Sequence, residues 1–588
     1  MKKKVYALIV LFLSFCAIQT QATNYYADPS NANASDDNAG TDPSAPWATL
    51  NPSVWSETGG TINLAAGNYY LTDEIVMSAD VEIVGSSKDE VVILSMDDED
   101  FMTEDRTSGA LPLTGKFFTT VEGSNLTVRN VTVKNLRYGN AEGTAVFGGM
   151  FNTESGLLTL QDMNIINAIV PVGGGAAITA HGNVSLNNVL VQDCVLGSTG
   201  DAANAIIFLG GLITPTLTME KVHLLNNNAS AGSVVNVNPG ADLASAIYVN
   251  NCTAENNNYA TWGALIRGVC NANGHNLTYN ITNSFFMNNV GVGSGACFIQ
   301  CDASTTKTLN VLLQNNTFFH NYRDGFGTAF STNDWGGVNT TGTVSMINNS
   351  FIDNTIAEPG KAGAAILYVL APAATFNFIN NLAMVPGGES IVFFTNDNTA
   401  GIGTFTGNIT ESVGGGINAL TSLCFDETTG NYLAPVVDGN RVALSTVISF
   451  GDLVRPQNGD APYIPVLESS YNIDKGISNA LVTPLDARGA GVYNSLKDVG
   501  AYEYNPDFTV SVKSLDATKK ISAYPNPFTD VINLSENMAK VVIYNINGVR
   551  TITKSNVDKV NVSNLNKGMY LVRATAQNGK TYTLRMIK

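Results

Sequence analysis

The chain has 588 residues, of which only 14% are charged, and its formal net charge is −18. A field of this sign disfavours nucleic acid and anionic lipid as partners, while it leaves neutral glycans open. Abundant glycine, 55 residues in all, together with few charged residues indicates an all-β protein with many turns.

The first 22 residues have the pattern of a secretory signal peptide. Lys2, Lys3 and Lys4 form a basic start and residues 5–18 an apolar core. We therefore expect cleavage after Ala22 and export of the remaining chain.

Export leaves the role of the cysteines open. The mature chain contains Cys194, Cys252, Cys270, Cys297, Cys301 and Cys424. Because exported proteins meet oxidising conditions, Cys270 with Cys301, or Cys297 with a residue one coil away, could form a disulfide. We favour the alternative that the cysteines are small apolar residues of a buried core.

The segment that follows the leader is typical of a cap. Residues 24–50 contain a Tyr-rich strand, an Asp/Asn/Gly loop and the sequence Pro-Trp-Ala-Thr-Leu. This order resembles the opening of many secreted bacterial parallel β-helix proteins, and the resemblance implies that residues 23–60 cover the N-terminal end of a solenoid. Asp36, Asp37 and Asp42 in the loop could bind Ca²⁺, and the alternative is a polar turn.

A motif that ends in Asn or Asp returns about every 32 residues through the middle of the chain. Its last residues are Asn135, Asn167, Asp193, Asn226, Asn256, Asn288, Asn321 and Asn354. A period of this length indicates units that bury their apolar faces only by stacking on their neighbours. Asparagine at one angular position predicts a ladder of side-chain amides at a tight bend.

A short apolar strand follows each motif, and strand residues alternate between two faces. One file is large and apolar and should point inward: Ile178, Ile207, Val235, Ile266, Phe298, Phe330 and Ile366. The next file should point outward: Thr179, Phe208, Asn236, Arg267, Ile299, Ser331 and Leu367. Only one member of the outward file is charged, which is weak support for a charged cleft.

These patterns predict an all-β protein whose main domain is a right-handed parallel β-helix over residues 61–504. We expect about 10–12 coils, with three short strands per turn. A leucine-rich repeat would need an L-x-x-L-x-L consensus and a helical return, whereas the returns here are rich in Gly, Asn and Thr.

Residues 469–504 resemble the C-terminal end region of many bacterial β-helix proteins. The match is carried by Asp474, Gly476, Asp486, Arg488, Asp498, Gly500, Ala501 and Glu503, and it departs from the pattern at Tyr471, where proline is usual. The resemblance implies the end of the solenoid, where exposed strand edges must be covered.

After a linker over residues 505–520, residues 521–588 form a different unit. Its Tyr-Pro-Asn-Pro opening at 524–527, its strand and turn at 544–548 and its segment at 565–572 resemble the sorting domain of type IX secretion substrates. The resemblance implies a small β-sandwich that the export machinery of Bacteroidota-type bacteria reads. It also implies a location at the cell surface or outside the cell, commonly with surface lipopolysaccharide as the anchor.

The fold alone does not choose between enzyme and scaffold. A polygalacturonase-type hydrolase needs clustered carboxylates, and a pectin-lyase-type eliminase needs charged residues along one outward face. Neither pattern is present. The remaining catalytic candidates are Arg267, Asp302, His320, Arg323 and Asp324, although a surface ion pair explains the last two better.

Three aromatic residues that lead into strands, Trp262, Tyr322 and Trp335, could stack on sugars, or they could pack internal loops. We interpret the chain as a secreted, surface-anchored scaffold for adhesion or for binding a polysaccharide or host glycan. The alternative is a polysaccharide lyase or glycoside hydrolase of the pectin-lyase-like superfamily. No cofactor is required, although Ca²⁺ could bind. An enzyme should gather at least three ionisable side chains in one groove, whereas a scaffold should present a polar, uncharged face.

Overall fold

In a computed structural model the protein divides into two compact units, Met1–Thr509 and Val510–Lys588. The structure describes residues 22–98, 101, 116–137, 146–170, 173–196, 204–211, 214–229, 232–239, 244–260, 263–270, 272–293, 295–301, 306–325, 327–334, 340–356, 365–369, 374–384, 390–394, 402–410, 424–426, 431–432, 440–443, 445–456, 458–494, 496–506, 523–525, 528–545, 550–576 and 581–588. The leader expected over residues 1–22 lies outside these residues except for its last position. No helix in the described part is long and apolar enough to cross a membrane.

The first unit is a parallel β-helix, as predicted. One coil shows its construction: His275–Thr282, Phe285–Met287, Val290–Gly293 and Cys297–Cys301 follow one another, and each strand pairs in parallel with a strand of the next coil. Three strands per turn were expected. A sharp bend at Asn283 separates the first two strands, so this coil contains four strands.

The strands of successive coils form four stacks. The first contains Asn24–Ala27, Gly60–Leu64, Val81–Gly85, Leu126–Arg129, Leu158–Val170, Val184–Gln192, Thr216–Glu220, Ala244–Asn250, His275–Thr282, Lys307–Gln314, Thr340–Ile347, Thr375–Ile379 and Ile402–Thr406. The second contains Gly67–Tyr70, Val91–Leu94, Thr132–Arg137, His223–Leu225, Thr253–Glu255, Phe285–Met287, Thr317–Phe319, Ser350–Ile352, Leu382–Met384, Ile409–Thr410 and Arg441–Val442, together with parts of the two long strands of the first stack.

The third stack contains the end of Leu158–Val170, then Val195–Leu196, Asn228–Ala229, Asn258–Tyr259, Val290–Gly293, Tyr322–Gly325 and Thr355–Ile356. The fourth contains Ile75–Met77, Phe118–Thr120, Phe151–Thr153, Ile178–Ala180, Ala205–Gly210, Ser233–Asn238, Ile266–Cys270, Cys297–Cys301, Phe330–Asp334, Ala365–Val369, Ser390–Phe394, Cys424–Asp426 and the antiparallel Asn431–Tyr432. Smaller elements are the helix Trp55–Thr58, the 3₁₀ turn Ser445–Val447 and the paired segments Val146–Phe147 and Gly173–Gly174.

Two bends per coil use residues in the left-handed backbone region, which Asn and Asp tolerate better than other side chains. The bend between the first and second stacks uses Asn130, Asp162, Asn188, Lys221, Asn251, Asn283, Asn315, Asn348 and Asn380. The bend between the second and third stacks uses Asn135, Asn167, Asp193, Asn226, Asn256, Asn288, His320 and Asp353.

The predicted asparagine ladder therefore mixes residues of two files. Its last two members, Asn321 and Asn354, lie one residue after the bend position to which the motif assigned them. At the second bend the left-handed position of the later coils is held by His320 and Asp353, not by Asn321 and Asn354. Those two asparagines point inward, one residue after the bend. The motif led to this error because its last polar residue lies at the bend in the earlier coils and one residue after the bend in these two coils.

The inward residues form a continuous ladder of buried amides. In Asn289 the side-chain Nδ2 donates to Ala254 O at 3.0 Å and to Asn321 Oδ1 at 2.9 Å, and its Oδ1 accepts two N–H groups of Asn257. The file runs through Asn227, Asn257, Asn289, Asn321 and Asn354. A second such file, which sequence reasoning missed, runs through Asn316, Asn349, Asn381, Asn408 and Asn440. The sequence signal for this second file is the Asn-Asn pair that recurs at the bend between the first and second stacks.

The inward file of the fourth stack also differs from the prediction by one residue in places. The observed file is Ile178, Ile207, Val235, Ile266, Cys297, Phe330 and Leu367. Phe298 therefore pairs with Arg267 and Ser331 in the outward file, and Leu367 lies in the inward file. Counting from the preceding glycine fails here because the loops before the strands differ in length by a residue.

The N-terminal segment is held together by the packing of its aromatic residues. The Trp47 indole stacks on Tyr25 at 5.2 Å between ring centroids, and its Nε1 donates to Asn38 O at 2.8 Å. Gly40 has φ +72°, and a Cβ on it would come within 2.2 Å of the indole, so only glycine fits.

Residues 445–504 run back along the outer side of the second stack, and we call this segment the strap. Gly500 N donates to Asn380 O, Tyr502 Oη bonds Thr317 Oγ1 at 2.9 Å, and Asp460 pairs with Lys221 at 2.9 Å. The resemblance implied a cover for the end of the solenoid. In the described residues this segment lies along a lateral face across several coils.

The second unit is a five-stranded antiparallel sheet with its own core. Its strands are Ala523–Tyr524, Val531–Asn545, Arg550–Asn561, Met569–Thr575 and Thr581–Ile587. Alternate residues of the central strand, such as Val541 and Ile543, are buried against Val560 and Val572.

Candidate functional site

The outer side of the first stack carries a polar surface, which we call the Thr/Asn face. Its members alternate with buried residues on six neighbouring strands and are at least partly exposed. They are Thr216, Thr218, Ala244, Ala246, Tyr248, Asn276, Thr278, Asn280, Thr308, Asn310, Leu312, Thr341, Thr343 and Thr375. None of these residues is Asp, Glu, Lys, Arg or His; the same alternation continues at one edge to the file Glu220, Asn250 and Thr282.

Strand geometry places these groups on a regular grid. Neighbouring strands lie about 4.8 Å apart, and alternate residues along a strand lie roughly 6.7 Å apart. One file of the grid is Thr216, Ala246, Thr278, Asn310, Thr343 and Thr375. The face is therefore a flat array of hydroxyl and amide groups with fixed spacing.

Side chains of the face contact one another across coils. Asn310 Nδ2 donates to Asn276 Oδ1 at 2.7 Å, and the hydroxyls of Thr308 and Thr341 lie 3.3 Å apart. These contacts hold the side chains in place but use only part of their hydrogen-bonding capacity. The remaining donors and acceptors of exposed members are open to solvent or a ligand.

Tyr248 is the one aromatic residue of the face, and its side chain is 41% exposed. It lies in the file between Thr218 and Asn280. An acidic residue, Glu220, stands at the edge of the face, where Asn250 Nδ2 donates to it at 2.8 Å. The face thus combines one stacking platform with many neutral polar groups.

Arg267, a catalytic candidate, lies on the outward side of the fourth stack, but this side is covered. Its relative exposure is 4%, and its guanidinium donates to Gln300 Oε1. Thr179, Asn236 and Ser331 in the same file are also buried. The lateral face on which an enzyme cleft was sought is therefore closed at these residues.

His320 and Arg323 are close in sequence but lie in different environments. His320 is exposed at the second bend, stacks on Phe319 and lies 3.3 Å from Asp353. Arg323 is fully buried and donates to Gly327 O, so it does not lie at the surface, where we expected it. The structure does not bring these two candidates together in one groove.

The remaining candidates are only partly visible. Asp302, Trp262 and Trp335 lie outside the described residues. Asp324 belongs to the strand Tyr322–Gly325, in register with Val292. Tyr322 is 42% exposed on the third stack, beside the exposed Val290, so it presents an aromatic surface on a different side from the Thr/Asn face.

The acidic residues of the cap are engaged with the protein. Asp36 accepts hydrogen bonds from the backbone of Ala48 and Thr49. Asp42 accepts from Ser44, and the backbone N–H of Ser44 lowers the pKa of this carboxyl. Asp37 lies in the same exposed loop. In the part of the chain that the structure describes, no three His, Cys, Asp or Glu side chains are grouped as a metal site.

The strap contains the carboxyls with the largest upward pKa shifts. Burial raises the pKa of Asp498 to about 6 and that of Glu503 to about 7, while the Lys497 ammonium, 2.9 Å from Glu503, acts in the opposite direction. Asp486 accepts a two-point contact from Arg488 and the backbone N–H of Glu503. These residues carry the end-region resemblance, and their contacts show a network that holds the strap's turns together.

A hollow of about 360 Å³ lies between the cap and the first coils. Tyr26, Pro43 and Pro46 line it, with Asp28 and Asn63 as polar members. Both polar groups are already used, because Asp28 accepts from Ser30 and Asn63 Nδ2 donates to Tyr25 O. The hollow offers less free polar capacity than the Thr/Asn face.

Comparison with known proteins identifies the second unit. Residues 522–588 match the family described as a secretion system C-terminal sorting domain. Beta-agarase D of Zobellia galactanivorans is 35% identical over 72 residues, which are 12% of this chain and 15% of that enzyme. The chain therefore carries a sorting domain of the type IX machinery and is exported through the outer membrane to the cell surface or beyond.

Solved structures give only distant matches. The catalytic unit of the thermostable GH87 alpha-1,3-glucanase from Streptomyces thermodiastaticus strain HF3-3 is 12% identical, with a TM-score of 0.29, and the match covers 59% of this chain and 62% of that one. The GH136 lacto-N-biosidase from Eubacterium ramulus is 11% identical, with a TM-score of 0.26, over 72% of this chain and 68% of that one. Similarities this low carry no argument about activity.

Proposed function

We propose that this exported protein is a surface scaffold that binds a neutral polysaccharide or glycan along the Thr/Asn face. The observation that carries the proposal is the uncharged, exposed array on six successive strands. Its hydroxyls and amides match the donors and acceptors of a sugar chain, and neutral sugars would not need a charged partner. As part of the same proposal, surface lipopolysaccharide anchors the mature protein.

A rigid strand surface suits this role. Ordering a flexible side chain costs roughly 0.5–1.5 kcal/mol on binding, and the cross-coil hydrogen bonds of Asn310 and Thr308 reduce that cost in advance. A polymer that repeats along the stack would also contact several coils at once, which raises the overall affinity above that of one contact. Tyr248 would supply the stacking surface.

The test is binding of the purified full-length protein to a panel of neutral and uronic-acid polysaccharides, with product formation followed in the same samples. We expect retention on at least one neutral polymer without new reducing ends. The double variant Asn310→Lys, Thr343→Lys places two charges within one file of the face and should lower affinity at least tenfold. The matched control Asn258→Lys changes an exposed residue of the third stack and should bind normally.

Two outcomes would overturn the proposal. One is equal binding by the double variant and the control, which would move the site elsewhere. The other is release of reducing ends or unsaturated products by the wild type, which would establish the lyase or hydrolase alternative.

A further inference from the structure

The fourth stack places two cysteines opposite each other in neighbouring coils. Cys270 ends the strand Ile266–Cys270, Cys301 ends the strand Cys297–Cys301, and the two residues are direct partners in the parallel register. Both strands start with an inward residue and both cysteines stand four positions later, so the two side chains point to the same face. Both are buried in the apolar core, and both are in the reduced thiol form in the structure.

This pairing is specific among the described cysteines. Cys297 is in register with Ile266 and Phe330, and Cys194 and Cys252 lie at the two inner polar files, where Asn227 Oδ1 and Ser284 Oγ contact their backbone N–H groups. Cys424 is in register with Val392. None of these four therefore has a cysteine as its register partner.

The backbone spacing fits a covalent bond. Adjacent strands lie about 4.7–4.9 Å apart, and disulfides join residues whose Cα atoms are roughly 4.4–6.8 Å apart. The sorting domain shows that the chain leaves the reducing cytoplasm. Position, orientation and compartment therefore agree.

We propose that Cys270 and Cys301 form a disulfide that joins two consecutive coils of the exported protein. One thiolate attacks a sulfur of a disulfide-bearing donor, such as an oxidised thiol–disulfide oxidoreductase, and a mixed disulfide forms. The second cysteine then displaces the donor sulfur. The two cysteines lose two electrons and two protons, and the donor leaves as two thiols.

The bond would lie just before two strands of the Thr/Asn face. The strands that follow these cysteines, His275–Thr282 and Lys307–Gln314, present Asn276 and Asn310. A link at the entry to both strands would keep the two coils from separating locally. The disulfide does not depend on glycan binding, so its test is separate from that of the proposed function.

The experiment uses full-length protein recovered from the oxidising compartment, denatured in acid and alkylated without reduction. A tryptic peptide would contain Cys270, Cys297 and Cys301 together, because no Lys or Arg lies between Gly268 and Thr306. Cleavage after aromatic residues separates all three, for example after Tyr279 and Phe298. We expect a linked pair of peptides, lighter by two hydrogens than their sum, and an alkylated Cys297.

Variants make the result decisive. Reductant should lower the thermal midpoint of the wild type and of Cys297→Ser, but not that of the double variant Cys270→Ser, Cys301→Ser. Mass analysis of the wild type alone remains informative if the double variant fails to fold. Alkylation of both Cys270 and Cys301 without prior reduction, or a link that involves Cys297, would overturn the proposal.

Discussion

Asparagine is stacked along this solenoid in two environments that have opposite consequences. In the inner ladder, Asn289 is fully buried and every hydrogen-bonding group of its amide has a partner in a neighbouring coil. On the Thr/Asn face, Asn276 and Asn310 are exposed and share a single hydrogen bond. The same residue type is therefore structural inside the coil and available to a ligand outside it, because water competes only at the surface.

The largest difference between the two environments should appear in stability. Asn289→Ala removes four side-chain hydrogen bonds and leaves buried N–H groups of Asn257 unsatisfied. We expect the free energy of unfolding to fall by about 3 kcal/mol. Asn276→Ala is the matched control on the exposed face and should change it by less than about 0.5 kcal/mol. Denaturant unfolding of the full-length variants measures both, and equal losses would contradict the distinction.

A second comparison sets the exposed face of the first stack against the covered face of the fourth. Arg267 lies on the covered face, so Arg267→Ala should cost roughly 2 kcal/mol of stability through the lost contact with Gln300. Glycan binding should not change. A loss of binding or turnover in a variant that unfolds normally would show that this face opens to a ligand.

A smaller effect is expected at the aromatic residue of the exposed face. Tyr248→Ala removes a partly exposed ring, so stability should hardly change. Stacking on a sugar is worth about 1 kcal/mol, and we expect the dissociation constant to rise roughly fivefold. Tyr322→Ala, equally exposed on another stack, is the control, and titration with the bound polymer compares the two.

The last comparison concerns pH and the strap. Burial raises the pKa of Glu503 to about 7, so the folded strap holds a proton that the unfolded segment releases above its ordinary pKa of 4.5. Stability from this group is complete below pH 4.5 and is lost as the pH rises through 7. Protease protection of the strap should therefore decrease between pH 5 and 8, and Glu503→Gln should flatten the profile. An increase in protection with pH in the wild type would contradict this assignment.

The period of the repeat was sufficient to predict the solenoid and the existence of tight asparagine bends. It was not sufficient for register. His320 and Asp353 hold bends that the motif assigned to Asn321 and Asn354, because the asparagine that closes the motif lies one residue after the bend in these two coils. The second inner ladder was also missed, although its Asn-Asn pairs are visible in the sequence.

Local sequence thus determined the coil, since alternation and period depend on neighbouring residues. It also determined the export signal, which is a self-contained unit at residues 522–588. Only the tertiary structure decided which outer faces are open. Arg267 looked like an outward residue and is buried, and Glu255 is contacted by Arg455 of the strap, 200 residues further along the chain. Whether an outward side chain meets solvent depends on such distant segments, and strand alternation carries no information about them.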